Sequence, residues 1–267
     1  SRTSTACSGT RSGRGWCDRF GDTAMTQTDA AERRWQSLAE LHEIPVPPLR
    51  TGDRMTRAEY AAVYEPLPTD FRAQLIEGVV YLSGPVKFIH GQATAHLAGW
   101  AGMYRGWTPG VTGSLHVTTQ LDPMNEPEPD VSLLIDAASG GQTFVSPDDF
   151  LVGPAEWIGE VVESRDAAEY GPKMAAYARN GVREYVVWCL EDDSIEWFSL
   201  RGGRYEPLSP DGAGIIRSEV LPGLWLDVTA MLNDNFPRLW DVLQQGLASP
   251  EHAAFVAALQ ARATPST

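Results

Sequence analysis

Long hydrophobic runs are missing from this sequence. No stretch approaches the roughly 18 consecutive apolar residues that read as a membrane-spanning helix. Arg2, Arg11 and Arg14 are followed by Gly, Ser and Thr rather than an apolar segment, so no secretory signal is expected. Cysteine is scarce as well. Cys7 and Cys17 lie in a polar stretch with no His or Cys partner at zinc-ligand spacing, and Cys189 sits inside the apolar run Val186-Val187-Trp188-Cys189-Leu190. Zinc and a disulfide framework are therefore not expected, and a reduced, cytoplasmic protein without a membrane is. Positive charge is short too: 21 Lys and Arg face 35 Asp and Glu, a net charge of −14. Affinity for a phosphate backbone comes largely from clustered cations, so this balance counts against a broad duplex-binding surface but not against a small basic cleft. Neither a Gly-x-x-x-x-Gly-Lys-Ser/Thr phosphate loop nor a Gly-x-Ser-x-Gly nucleophile elbow occurs.

What is present is an ordinary globular balance, with 43% hydrophobic and 21% charged residues. At 267 residues the chain suits one large domain with appendages. Residues 1–28 are rich in Ser, Thr, Gly and Arg and read as a disordered tail. Residues 29–54 read as a short helix carrying Trp35, Leu38 and Leu41, then a Pro-rich linker, Ile44-Pro45-Val46-Pro47-Pro48. Thr56 with Glu59 forms the pattern of a capping box and predicts a second short helix, stopped by Pro66 and Pro68.

The main domain is expected over 55–232. Leu75 to Leu82 reads as a strand pair or a bent strand, with Gly78 as its punctuation. Ile89, Ala93, Leu97, Trp100 and Tyr104 recur at helical spacing. Val131–Ile135, Trp157–Val162 and Glu184–Trp188 are apolar strands, and Ile195–Leu200 returns as a hairpin. Between them a helix carrying Met174, Tyr177 and Ala178 stops at Gly181. Arg183 and Glu184 read as a surface ion pair. Helical spacing resumes from Val228 to Leu247 and again after Ser249-Pro250, giving a C-terminal helical extension over 233–267. Leu239, Trp240 and Leu243 there suit either a homodimer interface or a cover for the sheet. The predicted class is α/β: a mixed central sheet flanked by helices, with helical extensions at both ends.

Three acids sit at or inside apolar strands: Glu77, Asp130 and Glu160. A carboxylate taken out of water is costly unless paired or bound to metal. Any one of them alone reads equally as a strand-end or turn residue reaching solvent. Together they predict a shared site whose hard oxygen donors suit Mg²⁺ or Mn²⁺. His90, where a helix opens, either orients an anion or is a half-buried histidine bonded near Gly84-Pro85. His96 reads as structural.

Several motifs now fall in one order. They are Leu75-Ile76-Glu77-Gly78, His90, Glu128-Pro129-Asp130, Glu160-Val161-Val162, Lys173, the run Tyr177-Ala178-Arg179-Asn180-Gly181-Val182-Arg183-Glu184-Tyr185, and Leu221-Pro222-Gly223-Leu224. This series resembles the Uma-type restriction endonucleases, and the Tyr177–Tyr185 run is its most specific part. The resemblance implies a restriction-endonuclease-like PD-(D/E)xK fold, a divalent metal and endonuclease activity on DNA. It makes Asp130 the aspartate of the PD element, Glu160 the second acid and Glu77 the acid of the first strand. Departures accompany it. The lysine expected two residues after Glu160 is Val162, and Lys173 on the next helix resembles the displaced lysine of this family. As a lone residue, Lys173 reads equally as a solvated helix lysine. Gln74 replaces an acid, and Glu169 stands where Asp is common. Two function classes follow: a metal-dependent endonuclease or phosphodiesterase using Glu77, Asp130, Glu160 and Lys173, or a binding or assembly module that keeps the fold without cleavage.

Overall fold

The computed structural model describes residues 48–68 and 70–263. The expected tail and the helix carrying Trp35 lie outside the described residues. The first described helix, α1 (Arg57–Tyr64), starts where the sequence says: Thr56 accepts from the Glu59 N–H while the Glu59 carboxylate accepts from the Thr56 N–H. It covers an antiparallel hairpin of β1 (Ala73–Ile76) and β2 (Val79–Leu82). Tyr60, Leu75, Val80 and Leu82 form a small core there. The strand-pair reading of this segment holds. Glu77 and Gly78 form its two-residue turn, both with positive φ (53° and 69°), which suits the right-handed twist of the strands.

The main sheet has six strands in the order β11 (Arg204–Pro207), β10 (Ser194–Arg201), β9 (Glu184–Cys189), β8 (Trp157–Val162), β5 (Val131–Ile135) and β3 (Val111–Ser114). Neighbours are antiparallel except β8 and β9, which run parallel. A parallel pair needs a crossover, and α3 (Tyr170–Asn180) supplies it, ending at Gly181 with φ 89°. The sheet is thus mixed, with helices on both faces.

Alternation along the strands divides the core. One face, with Trp157, Val161, Val186 and Trp197, packs on α2 (Phe88–Gly106). Trp100, Trp157 and Trp197 meet there edge to face, at centroid distances of 5.9 to 6.2 Å. The opposite face, with Ile158, Tyr185 and Val187, packs on Tyr177 of α3. Small strands complete the order: β4 (Thr119–Gln120), β6 (Phe144–Val145) and β7 (Leu151–Val152) form one sheet, and β12 (Ile215–Arg217) pairs with β13 (Trp225–Asp227).

After α4 (Val228–Leu232), helices α5 (Phe236–Leu247) and α6 (Pro250–Ala263) return to the main core. Leu239, Leu243 and Leu259 are buried in the same cluster as Trp157 and Trp197, so these helices cover the sheet. The helical stretch from Val228 to Leu247 is broken at Asn233–Asn235, and Pro237 sits in the first turn of α5, where its missing N–H costs nothing. One sequence expectation is overturned. Glu184 is fully buried, not a surface partner of Arg183; it accepts from the Ser218 hydroxyl (2.6 Å) and the N–H groups of Glu219 and Val220 (2.7 and 3.2 Å). Its place in a central strand gave it no route to solvent. Among the described residues no helix is long and apolar enough to cross a membrane.

Candidate functional site

Asp130 enters β5 directly after Pro129, and β5 pairs antiparallel with β8, Val131 opposite Gly159. Continuing that register by one residue sets Asp130 opposite Glu160. Gly159 makes the approach possible from below. A Cβ there would lie 2.6 Å from the Trp157 ring and 2.7 Å from Leu97, so only glycine lets α2 close on the strand that carries Glu160.

Both acids are buried and each is held by named donors. Asp130 Oδ2 accepts from the Val161 N–H at 2.8 Å, while Oδ1 lies 3.7 Å from His90 Nε2 and 3.5 Å from His116 Nδ1. Oε1 of Glu160 accepts twice, from Lys173 Nζ at 3.0 Å and from the Tyr177 hydroxyl at 2.8 Å. Lys173 and Tyr177 stand four residues apart on α3, hence on one face of it, which is how a single helix delivers both.

The electrostatics follow from this crowding. Burial alone drives the Asp130 carboxyl upward, but the charge of nearby His90, with Lys173 and the Val161 N–H, holds it below the ordinary carboxylate range. Glu160 goes the other way: burial raises it and the Asp130 charge adds to that, outweighing Lys173 and Tyr177. Burial works against the Lys173 ammonium, yet Glu160 and Asp130 keep it charged above its usual range. Two carboxylates face one ammonium in a water-poor pocket.

The third acid expected from the sequence is elsewhere. Glu77, in the β1–β2 turn, is half exposed and takes a bidentate pair from Arg179, at 2.6 and 3.1 Å. Its own N–H donates to Asn125 Oδ1. Arg179 and Asn180 also reach Asp122, so this second network ties the hairpin to the end of α3. The expected three-carboxylate cluster is therefore divided: Asp130 and Glu160 share a pocket with Lys173, and Glu77 serves a turn. The reason is the left-handed turn, which aims the Glu77 side chain toward the arginine of α3.

Cations stand at the rim. Arg72 pairs with Glu128 at 2.5 Å, and Lys87 with Glu163 at 3.0 Å; these acids lie close in sequence to Asp130 and Glu160 respectively. Gln74 accepts from the Glu128 N–H at 2.9 Å, so it braces the strand that leads to Asp130.

The family model described as Uma2, "Putative restriction endonuclease", matches residues 57–229. The chain belongs to this family. Among solved structures, a protein from Anabaena variabilis ATCC 29413, described as a "putative nuclease belonging to DUF820", superimposes with a TM-score of 0.50. The match covers 64% of this chain and 96% of that one at 12% identity, a likeness of fold alone. No curated protein matches the chain by sequence. The fold is restriction-endonuclease-like, as the sequence resemblance implied.

Within the Uma2 frame, two contributors escaped the sequence reading. Tyr177 stands in the sequence as one apolar residue of the helix that stops at Gly181, and its four-residue spacing from Lys173 is the available signal. His116 sits in the loop after β3, with φ of 50°, and nothing in its neighbourhood of sequence marks it. His90 reaches Asp130 rather than the Gly84-Pro85 turn, and its Nδ1 is buried without a hydrogen-bond partner.

Proposed function

We propose that this chain hydrolyses phosphodiester bonds of nucleic acid at Asp130, Glu160 and Lys173, with a divalent ion, Mg²⁺ or Mn²⁺, as cofactor. The observation that carries this reading is the position of Lys173. The sequence lacks the lysine two residues after Glu160, and α3 returns one from thirteen residues on, its Nζ 3.0 Å from Glu160. The chain has two lysines, and this one is buried against the acids where a solvated helix lysine would not be.

The donor set fits a hard cation. Asp130 and Glu160 set two carboxylates side by side in a buried pocket, and hard oxygen donors of this kind are the ones that Mg²⁺ or Mn²⁺ takes. No three His, Cys, Asp or Glu among the described residues group into a complete metal shell. Mg²⁺ keeps several waters and commonly takes only one or two carboxylates plus the phosphates of its substrate, so two acids suffice. When bound, the ion would polarise a phosphodiester oxygen and lower the pKa of a water for in-line attack.

The chain's own groups do the rest. Asp130, kept ionised by His90 and the Val161 N–H, offers an oxygen acceptor at neutral pH. Tyr177 and Lys173 both hold Oε1 of Glu160, fixing that carboxylate. Lys173, kept charged, presents positive charge where a phosphate would gain negative charge during attack.

The test is cleavage of labelled DNA in Mg²⁺ or Mn²⁺. Wild type should cut, EDTA should abolish cutting, and Asp130→Asn and Lys173→Met should each slow it by about a hundredfold or more, the scale of losing one electrostatic stabiliser. The reading that keeps the fold without cleavage draws on Gln74 and on the engagement of Arg72 and Lys87 by acids. It predicts metal binding with no cleavage by wild type.

A further inference from the structure

We infer that the substrate of this site is single-stranded or locally unpaired nucleic acid, one base of which stacks on an apolar lip formed by Val86, Phe88, Ile89 and Leu115. The inference rests on the nuclease reading above and names its substrate class.

Large apolar side chains are exposed in both segments that approach Asp130, the start of α2 and the loop after β3. Val86 is 67% exposed, Phe88 75%, Ile89 46% and Leu115 51%. Their segments are pinned to the site. Lys87 is held by Glu163, just past the end of β8, and His90 lies 3.7 Å from Asp130 Oδ1. Phe88 and Ile89 fall between these two anchors, so they open onto solvent beside the carboxylates. Leu115 precedes His116, whose Nδ1 is 3.5 Å from the same Asp130 oxygen. The start of α2 and the loop after β3 thus carry exposed apolar groups next to the two histidines that face Asp130.

Charge selects the occupant. Duplex binding depends on many phosphate contacts, and this chain, at −14, offers few cations near the site: Arg72, Lys87 and buried Lys173. Single-strand recognition needs fewer. It combines a short electropositive track with aromatic faces, such as Phe88, on which unpaired bases stack. A paired base has its faces covered by neighbours and cannot use such a lip. Lys87, between Val86 and Phe88, would exchange its Glu163 partner for the phosphate adjoining a stacked base.

The experiment is fluorescence anisotropy with a labelled 20-nucleotide strand and with the duplex of the same sequence, in EDTA so that cleavage does not compete. Wild type should bind the single strand at least about tenfold more tightly than the duplex. Phe88→Ala should weaken single-strand binding about tenfold, Phe88→Trp should restore it, and neither should change the salt dependence. Lys87→Ala should instead lower the slope of log affinity against log salt by about 0.7, one phosphate contact on a single strand. Equal binding of duplex and single strand, or Phe88→Ala binding like wild type, overturns the lip while leaving the nuclease reading intact. A Phe88→Ala change that alters only the sedimentation mass overturns it too, assigning the lip to a second copy of the chain. Failure of wild type to bind either nucleic acid removes the underlying reading itself.

Discussion

Lys173 and Glu160 are a buried pair, and such a pair is far easier to break than to build. Removing one partner leaves a charge in the interior at a cost of about 3–5 kcal/mol. Lys173→Met should therefore destabilise the fold by about that amount in urea unfolding, and Lys173→Met with Glu160→Gln should recover part of it. Full additivity of the two losses would contradict the coupling. Glu184 gives a second prediction, in pH. Burial raises its carboxyl from 4.5 to about 7, against the opposing pull of Ser218 and the Glu219 and Val220 N–H groups. A group whose folded pKa lies above its unfolded value contributes stability that is fully present below about 4.5 and is lost as pH rises through about 7. The loss is on the order of 3 kcal/mol. Urea midpoints between pH 4.5 and 8 should fall for wild type more than for Glu184→Gln, which has no such proton to lose; parallel profiles would refute the assignment. At this scale the sequence was half legible. Asp130 and Glu160 stand at the apolar strands that flank them in the sequence, whereas Lys173 stands out only through the family resemblance. Glu184 and Glu77 were misplaced because both readings needed tertiary partners, Ser218 for one and Arg179 for the other, that no local pattern encodes.

Elements were legible where one physical rule decided them. The Thr56 capping box, the αL glycine at Gly181 and the apolar strands Val131–Ile135 and Trp157–Val162 all fell where expected. The short strand Phe144–Val145 is not separable from a loop by sequence, because two residues have no periodicity. Gly159 was read as part of a buried strand, without its reason. The structure supplies it: the helix α2 leaves no room for a methyl group above that residue. Gly159→Ala should cost about 1–3 kcal/mol by overpacking, visible as a lowered melting temperature. An unchanged melting temperature would mean that Leu97 and the Trp157 ring yield more easily than their burial implies.

At the scale of the molecule, a six-stranded mixed sheet sets two helices and one loop around a single pair of acids. The C-terminal helices belong to that scaffold. Leu243→Ala should destabilise by about 2–5 kcal/mol, as for a leucine lost from a core, with no change in the mass of the folded protein. A shift in mass without loss of stability would make α5 an interface. Sequence spacing could not separate these outcomes, since an apolar stripe looks the same against a sheet or a partner. It also could not show that three acids spaced along the chain would divide between two networks. That division is the central claim, and calorimetric titration with Mn²⁺ tests it most directly. The account predicts one site in wild type, near-identical affinity in Glu77→Gln, and at least about a tenfold loss in Asp130→Asn. Wild-type binding retained by Asp130→Asn, or lost in Glu77→Gln, would contradict it.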